Sequence, residues 1–546
     1  MDSKKRIIID CLVLLACLAA LSWGCWNLPV PRADETGYIA QAWRIAHGET
    51  SSFNTFFLFY AAILRFIAPD PMVAHLVARL ICSVFSTYVL YFVLRAFRPW
   101  LSANAILISV VIWTSSYLCT PFAQMGTISL FGYSLGMLGI GFLMRGLTLS
   151  NFLLCEAFLF LGAQARKELW VPLLLVGLLF VAGLVLNRTV RGRVFQQLSS
   201  PLVLGLLAVV LILGGIFAVR KAETLGNSGS RSLLAFGQSY ARFASQTNRE
   251  RGFDPMTEYA EVLNRRFHNP KSVLDVIKAD PMEAGRFFVI NSFTNLTQLP
   301  VCFFSTRDTG MNAGWLQRPQ AIVLILSLVV GSILGLITLI STRRQWLVPP
   351  APLLYRLLCL LILATTSLVA FVMVTYVSRH YIPLVPLAFL FLAWCWHSLL
   401  TVPVLARIPG AAVVAVVAIL FCRPGLAPAQ DWNEDFRVLR EARDRLPAQP
   451  LVAGIYSHPY IIYSFYGEGS QATPMTTPPV NADALLRGDY DVFIVNNNIR
   501  GTRVWKKQQP LFEAFMQTPE KWGYFLYRDI RHGGCLIYLK QKQAAL

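Results

Sequence analysis

The sequence predicts an α-helical polytopic membrane protein of about eleven transmembrane helices, with a small extracytoplasmic α/β domain at its C-terminus. Three observations predict it. Of 546 residues, 55% are hydrophobic and 14% charged, with a mean hydropathy of +0.53, where a soluble domain has about 25% charged residues. Apolar runs of about 20 residues, the length that crosses a bilayer core, recur along the chain. The basic residues gather on alternate turns between those runs. This composition excludes an ordinary cytosolic enzyme, and 36 Phe, 19 Tyr and 13 Trp exclude disorder. In a soluble protein a formal charge of +19 and a pI near 9.6 would point to nucleic acid. Here the basic excess sets topology, and no nucleic-acid partner is expected.

The first run, Ile7 to Trp26, follows Lys4, Lys5 and Arg6. A cleaved signal peptide begins the same way, but no A-x-A site follows, so the run reads as a retained helix with a cytoplasmic N-terminus. Further runs cover 72–95, 101–119, 128–147, 168–186, 200–219, 320–340, 353–376, 381–399 and 408–423. A shorter one, 150–163, crosses just far enough to leave Arg166, Lys167 and Glu168 at the outer edge. The inside turns then carry Lys4, Lys5 and Arg6; Arg95 and Arg98; Arg145; Arg188, Arg191 and Arg193; Arg343 and Arg344; and Arg407. They hold no acid beyond Asp2, as the positive-inside rule requires.

The membrane body, 1–220 and 319–424, holds 22 basic and 8 acidic residues. Segments 221–318 and 425–546 are nearly balanced, 12 against 9 and 14 against 12. Both read as small solvated outer regions. The chain thus divides into an N-terminal membrane core (1–220, with an outer loop at 27–71), an extracytoplasmic loop region (221–318), C-terminal membrane helices (319–424) and the α/β domain (425–546). Segment 221–318 reads as mainly helical. In the last domain 431–446 has helical periodicity, Leu451–Tyr456, Val492–Val495 and Cys535–Leu539 read as strands, and 474–479 is a Pro-rich loop. Nine of eleven Cys lie in or beside apolar runs, where they pack as small hydrophobes, and no spacing suggests zinc or a disulfide scaffold. The basic turns, the lack of a sorting signal and the compact outer domains lead us to expect a bacterial plasma (inner) membrane.

The outer loop after the first run carries the chemistry. From Asp34 to about His47, Tyr38, Ile39, Ala42, Trp43 and Ala46 recur at helical spacing, which describes an amphipathic helix in the membrane interface. Phe53 to Ala68 reads as a second interfacial helix. Asp34 and Glu35 have an ordinary reading as N-cap and first-turn acids. Against it stands their scarcity, since they are two of only eight acids in the membrane body. Arg79, several residues inside an apolar run, is costly unless it faces a cavity or a partner, and Glu156 in the short fifth run is a candidate for that partner. Arg166 and Lys167 either pair with Glu168 or snorkel to headgroups. His47, His75 and His458 read as ordinary packed or interfacial residues.

An Asp-Glu pair opening an interfacial helix directly after the first span resembles the C-type (GT-C) membrane glycosyltransferases, in particular bacterial relatives of the protein O-mannosyltransferases and the lipid A aminoarabinose transferase. Arg79-Leu80 in the second span, Arg166-Lys167-Glu168 opening the sixth, and Ser378-Arg379-His380-Tyr381-Ile382-Pro383 with Pro386 at a late outer boundary are similar to segments of that family. The resemblance covers about residues 1–400. It implies transfer of a sugar from a polyprenyl-phosphate donor in the membrane to an outer acceptor, whether glycan, lipid, lipid A or protein. It implies Asp34 as general base with Glu35 beside it, and Arg379, His380, Lys167, Arg166 and Arg79 toward the donor phosphate. Many members place a further acid between the third and fourth spans, where some use it for a divalent cation. Here Ser115 to Thr127 has none, so no metal or other cofactor is expected.

Three other classes compete. A transporter or flippase of lipid-linked sugars predicts an inverted repeat and midplane charge pairs; no repeat is present. A polysaccharide polymerase or ligase fits Arg231, Arg242, Arg249, Arg251, Arg265 and Arg266 in 221–318. A receptor or scaffold leaves Asp34 without a role.

Overall fold

The computed structural model of the chain describes residues 3–23, 34–48, 54–69, 71–116, 118–119, 127–197, 200–212 with gaps, 229–247, 255, 258–304, 319–341, 350–374, 378–422, 452–455, 471–474, 492–495, 509–530 and 535–540. By their contacts these fall into two compact units. The first comprises Met1–Trp23, Ser52–Phe56 and Arg79–Leu426; the second comprises Gly24–Ser51, Phe57–Ala78 and Ala427–Leu546.

The helices run in order α1 (Ser3–Trp23), α2 (Asp34–Ala46), α3 (Thr55–Phe66), α4 (Pro71–Arg95), α5 (Ala103–Ser115), α6 (Thr127–Leu143), α7 (Leu149–Ala165), α8 (Trp170–Leu186) and α9 (Arg188–Gln197). Then follow α10 (Gly229–Gln246), α11 (Tyr259–Phe267), α12 (Val273–Ala279), α13 (Pro281–Phe304), α14 (Pro319–Ser341), α15 (Ala351–Met373), α16 (Val385–Leu400), α17 (Gly410–Cys422) and α18 (Gln509–Gln517). Ten of the eleven expected membrane runs coincide with helices, namely α1, α4–α8 and α14–α17. The eleventh, 200–219, falls largely outside the described residues. Val73–Arg95, Lys167–Leu186, Pro319–Ser341, Ala351–Met373 and His380–Leu400 are long and apolar enough to cross a membrane. Thr55–Phe66, Ala103–Ser115, Thr127–Leu143, Leu149–Ala165 and Gly410–Cys422 are shorter apolar helices.

In the first unit the apolar helices sort into inner and outer ones. α5 is buried from Ala105 to Ser115. Along α8, by contrast, Leu174, Leu178, Val181 and Val185 are exposed, and along α14 so are Ile322, Leu326, Val329, Ile333, Leu336 and Ile340. Recurrence every three to four residues makes each set one stripe. In water such stripes would drive aggregation; in hydrocarbon they are a solvated face. Helices approach closely where a glycine removes the side chain. A methyl group on Gly331 of α14 would meet Cys395 of α16 at 2.7 Å, and one on Gly335 would meet the Trp394 ring at 2.3 Å. Of the nine Cys read as small hydrophobes, eight are described, none of them in a disulfide, and seven of those are buried.

The described residues of segment 229–304 are mainly helical, as expected, around a core of Phe236, Tyr240, Phe267 and Phe287. The Tyr240 hydroxyl donates to Glu283 Oε1 at 3.1 Å within it. Arg265 and Arg266, two of the arginines that favoured a polymerase, are held by Glu261 at 3.2 Å and Asp280 at 3.1 Å. α13 differs from a solvated loop, because it carries no charge from Phe287 to Phe304 and leaves Val289, Phe293 and Leu296 exposed.

In the second unit α2 begins at Asp34, as the periodicity predicts. Ile39 and Ala42 are buried, and Tyr38 lies 5.9 Å from the ring of Phe57 on α3. His75, in the first turns of α4, stacks on Tyr60 at 6.0 Å, the packed role the sequence suggests. His47 sits on the Trp43 ring at 3.9 Å. The C-terminal residues form a five-stranded sheet, β1 (Val452–Ile455), β2 (Gln471–Pro474), β3 (Val492–Val495), β4 (Tyr524–Ile530) and β5 (Cys535–Lys540), in the order β2-β1-β3-β5-β4. β1 is parallel to β2 and β3, while β5 is antiparallel to β3 and β4. Phe515 of α18 closes one side, with Tyr538 at 4.7 Å and Tyr524 at 5.8 Å. The three expected strands are β1, β3 and β5. The two unexpected ones are edges: β2 is polar and ends in Pro474, and β4 carries a register shift between Leu526 and Arg528. The expected helix 431–446 and residues 475–479 of the Pro-rich loop lie outside the described residues.

Candidate active site

The site is built on the α6–α7 pair, which glycine brings into contact. A methyl group on Gly162 of α7 would lie 2.7 Å from Gly132 O and 2.8 Å from Leu169 Cδ1. One on Gly132 of α6 would lie 2.9 Å from Arg166 Cγ, and one on Gly136 would lie 2.9 Å from Leu169 Cδ2. Gly132 and Gly136 are spaced as small residues must be to admit a neighbouring helix. α7 ends where Arg166 turns extended (φ −135°, ψ 105°) and its N–H closes on Gly162 O at 2.8 Å. A 3-10 turn, Lys167–Leu169, then leads directly into α8. This reversal leaves the stem of Arg166 against Gly132 and its guanidinium 5.6 Å from the Tyr133 ring centre, a cation–π contact. Arg166 Nη2 donates to Glu168 Oε1 at 3.0 Å.

We expect Gly162→Leu to destabilise the protein by about 1–3 kcal/mol through overpacking and to displace Arg166. Gly177→Leu on α8, where nothing lies within 4 Å, is the control. Melting temperatures in detergent should separate the two, with only the first lowered.

The second half of the site is the 3-10 segment Ser378–Leu384, which follows α15 and leads into α16. Tyr381 and Ile382 are buried at 1%, and the Tyr381 ring meets Phe371 edge-on at 6.1 Å. Ser367 Oγ donates to His380 O at 2.9 Å. The last carbonyls of α15, which a helix cannot satisfy itself, are taken by α13. Asn291 Nδ2 donates to Val372 O at 2.9 Å, and Asn295 Nδ2 to Phe371 O at 2.7 Å and Val374 O at 2.9 Å. Asn295→Ala is expected to cost about 1–3 kcal/mol for the stranded carbonyls, measured as a lower melting temperature.

These supports hold His380 against the first half. Arg166 Nη2 lies 3.2 Å from His380 Nδ1, and Glu168 Oε1 lies 3.8 Å from the same nitrogen. A guanidinium only donates, so Nδ1 accepts and the ring carries its proton on Nε2. The side chains of Arg166, Glu168 and His380 are 13%, 32% and 16% exposed, so the cluster is part-buried yet open to a ligand. It offers a fixed cation and a neutral N–H donor, aimed by one carboxylate. That equipment suits an anion with several oxygen atoms.

Arg79 is buried at 3% and donates from Nη1 to Thr127 Oγ1, at the start of α6, at 2.6 Å. It heads a polar stripe on α4: Ser83 donates to Arg79 O, Ser86 accepts from Trp113 Nε1, and Thr87 meets Cys119 Sγ. Glu156 is not its partner. Its Oε1 is buried without a hydrogen-bond partner among the described residues. Lys167 is exposed in its turn. Asp34 and Glu35 open α2 and Arg379 precedes His380, but their side chains lie outside those described, as does 120–126. Among the described residues no group of three His, Cys, Asp or Glu side chains converges on a metal-sized site. The sequence reading did not single out Tyr133, Ser367, Asn291 or Asn295. The Gly132–Gly136 spacing and the two Asn one turn apart on an uncharged helix were the available signals.

No family model matches the chain, and none of the curated proteins does. Among solved structures, the chain is similar to the Archaeoglobus fulgidus oligosaccharyltransferase in the apo form, with a TM-score of 0.43 and 11% identity over 90% of this chain and 69% of that one. It is similar to the same protein in complex with zinc and sulfate, with a TM-score of 0.45 and 12% identity over 97% and 73%. It is also similar to ArnT from Cupriavidus metallidurans bound to undecaprenyl phosphate, with a TM-score of 0.39 and 10% identity over 98% of each chain.

Proposed function

We propose that the protein is an integral membrane glycosyltransferase of the bacterial plasma membrane that moves a sugar from a polyprenyl-phosphate donor to an extracytoplasmic acceptor. The reading rests above all on the meeting of Arg166 and His380, 214 residues apart in sequence, on one carboxylate. In the transfer an acceptor hydroxyl attacks the anomeric carbon, the bond from that carbon to the phosphate oxygen breaks, and the hydroxyl proton passes to a base. Charge grows on the phosphate as the bond breaks. Arg166 neutralises it, and His380 Nε2–H donates to it without bringing a second full charge. Glu168 fixes the direction of Arg166, so neither donor reorganises during reaction. Arg379 and Lys167 are the next cations for the phosphate, and Arg79 braces the start of α6. Asp34 is the general base and Glu35 orients it. The alternation of basic turns supports an outer-facing end for the Arg166–His380 cluster.

Segment 221–318 and the domain after 425 shape the acceptor side. The acceptor is a glycan, a lipid such as lipid A, or a protein. One carboxylate pair is a poor site for a divalent cation, so turnover should survive EDTA. Loss of activity with EDTA and its return with Mg²⁺ or Mn²⁺ would reverse that reading. The function is tested with the purified chain in proteoliposomes, given labelled polyprenyl-phosphate sugars and envelope acceptors. We expect label in the acceptor and one free polyprenyl phosphate released per sugar. Movement of the intact lipid-linked sugar across the bilayer, with its phosphosugar bond unbroken, would make the protein a flippase instead.

A further inference from the structure

We infer that the outward face of α9 is a docking surface for the headgroups of anionic phospholipids in the leaflet beside it. α9 (Arg188–Gln197) follows α8 after a single residue, Asn187. The end of α8 still shows the apolar stripe that faces lipid, with Val185 69% and Leu186 83% exposed. The next turn of chain therefore enters the headgroup layer of the same bilayer. Asn187 caps the new helix, its Oδ1 accepting from Thr189 N at 3.0 Å and Val190 N at 3.2 Å. Val190 and Val194 lie one turn apart on its inward face and pack into a core with Leu149, Phe180 and Val203. Gln197 Oε1 accepts from Leu149 N, at the start of α7, at 2.9 Å. α9 is thus fixed to the start of α7 and the end of α8, the two helices whose other ends meet at the Arg166 turn.

The opposite face carries Arg188, Arg191 and Phe195, spaced i, i+3 and i+7 as one helical stripe. All three are exposed, Phe195 at 67%. Neither arginine is paired with a carboxylate among the described residues. The sequence offers none nearby, since no acid occurs between Glu168 and Glu223. A basic turn that only sets topology needs nothing but water. A phenylalanine ring beside the arginines is unsuited to water, whereas at a bilayer boundary it enters the apolar layer while the guanidinium groups reach the phosphates. Charge then selects the lipid, because uncompensated cations at the membrane surface draw anionic headgroups residue by residue. Contact with that leaflet would hold the α7–α8 pair at a fixed depth.

The test uses the full-length protein in nanodiscs of phosphatidylcholine, alone and with phosphatidylglycerol mixed in. Hydrogen exchange of the amides of 187–197 should slow when phosphatidylglycerol is present, and high salt should remove the difference. Native mass spectrometry reads the lipid retained. Preference for phosphatidylglycerol over phosphatidylcholine should fall about fivefold in R188Q and in R191Q, and further in the double variant. R188K/R191K should keep most of it, since the attraction is to charge. F195S should speed exchange in both lipids, because burial of the ring does not depend on charge. Melting temperature in pure phosphatidylcholine scores folding of each variant, and the wild-type comparison of the two lipids needs no substitution at all. Exchange of α9 in the wild type that is equal in the two lipids, or a preference undiminished in R188Q/R191Q, would overturn the inference and leave α9 facing water or another partner.

Discussion

Asp34→Asn lowers transfer by two to four orders of magnitude while leaving donor binding close to wild type, on the account given above. The amide keeps the size of the carboxylate, and Asn suits a helix start as well as Asp does, so α2 should lose little. What it loses is the proton acceptor for the attacking hydroxyl. The effect belongs in kcat, because the base acts only as the hydroxyl begins to bond the sugar. Glu35→Gln should cost less, since its role is orientation. Wild-type turnover by Asp34→Asn would remove the base from Asp34 and leave the two acids as a first-turn pair favoured by the helix dipole. Melting temperature reports folding separately from turnover.

Arg166→Gln is expected to lower turnover by about two to three orders of magnitude, the range seen when one preorganised donor to a developing anion is removed. Two consequences distinguish this from a mere packing role. Without Arg166, His380 Nδ1 loses its donor, so the ring is free to flip or to carry its proton on Nδ1 and donate to the Glu168 carboxylate. His380→Ala on the Arg166→Gln background should then add far less than it costs alone, because the two act as one unit. Arg166→Lys should recover little. It keeps the charge but cannot bond Glu168 and His380 at once from a planar fork. Strict additivity of the two substitutions would mean that the 3.2 Å contact has no part in catalysis.

Much of the helical scaffold was legible because the bilayer imposes a crude rule. A span must be about 20 apolar residues long, and Lys and Arg gather on one side. That rule finds α4, α8, α14 and α15 from hydropathy alone. It does not find which helices lie inside, because lipid and protein interior are equally apolar: Leu178 of α8 and Ile108 of α5 look alike in sequence, yet one is exposed and the other buried. Packing is written instead in glycine, at Gly132, Gly136 and Gly162, whose spacing matters only once the facing helix is known.

The site was legible in part for a related reason. Charged residues are rare enough in an apolar chain that Arg166, Glu168 and His380 stood out singly. Their meeting was not visible, since it depends on Ser367, Asn291 and Asn295 fixing a 3-10 segment more than two hundred residues away. Glu156 shows the converse. Rarity alone suggested Arg79 as its partner, but Arg79 donates to Thr127 and Glu156 Oε1 is left without a hydrogen-bond partner among the described residues.

The central claim is sugar transfer from a lipid phosphate, and mass spectrometry of envelope glycans and lipids from a deletion strain tests it most directly. The account predicts two coupled changes. One class of envelope molecule loses the mass of a single sugar, and a polyprenyl-phosphate carrying that sugar accumulates. Both revert with the wild-type chain, while neither reverts with Asp34→Asn. Envelope molecules and lipid-linked sugars unchanged by the deletion would contradict it.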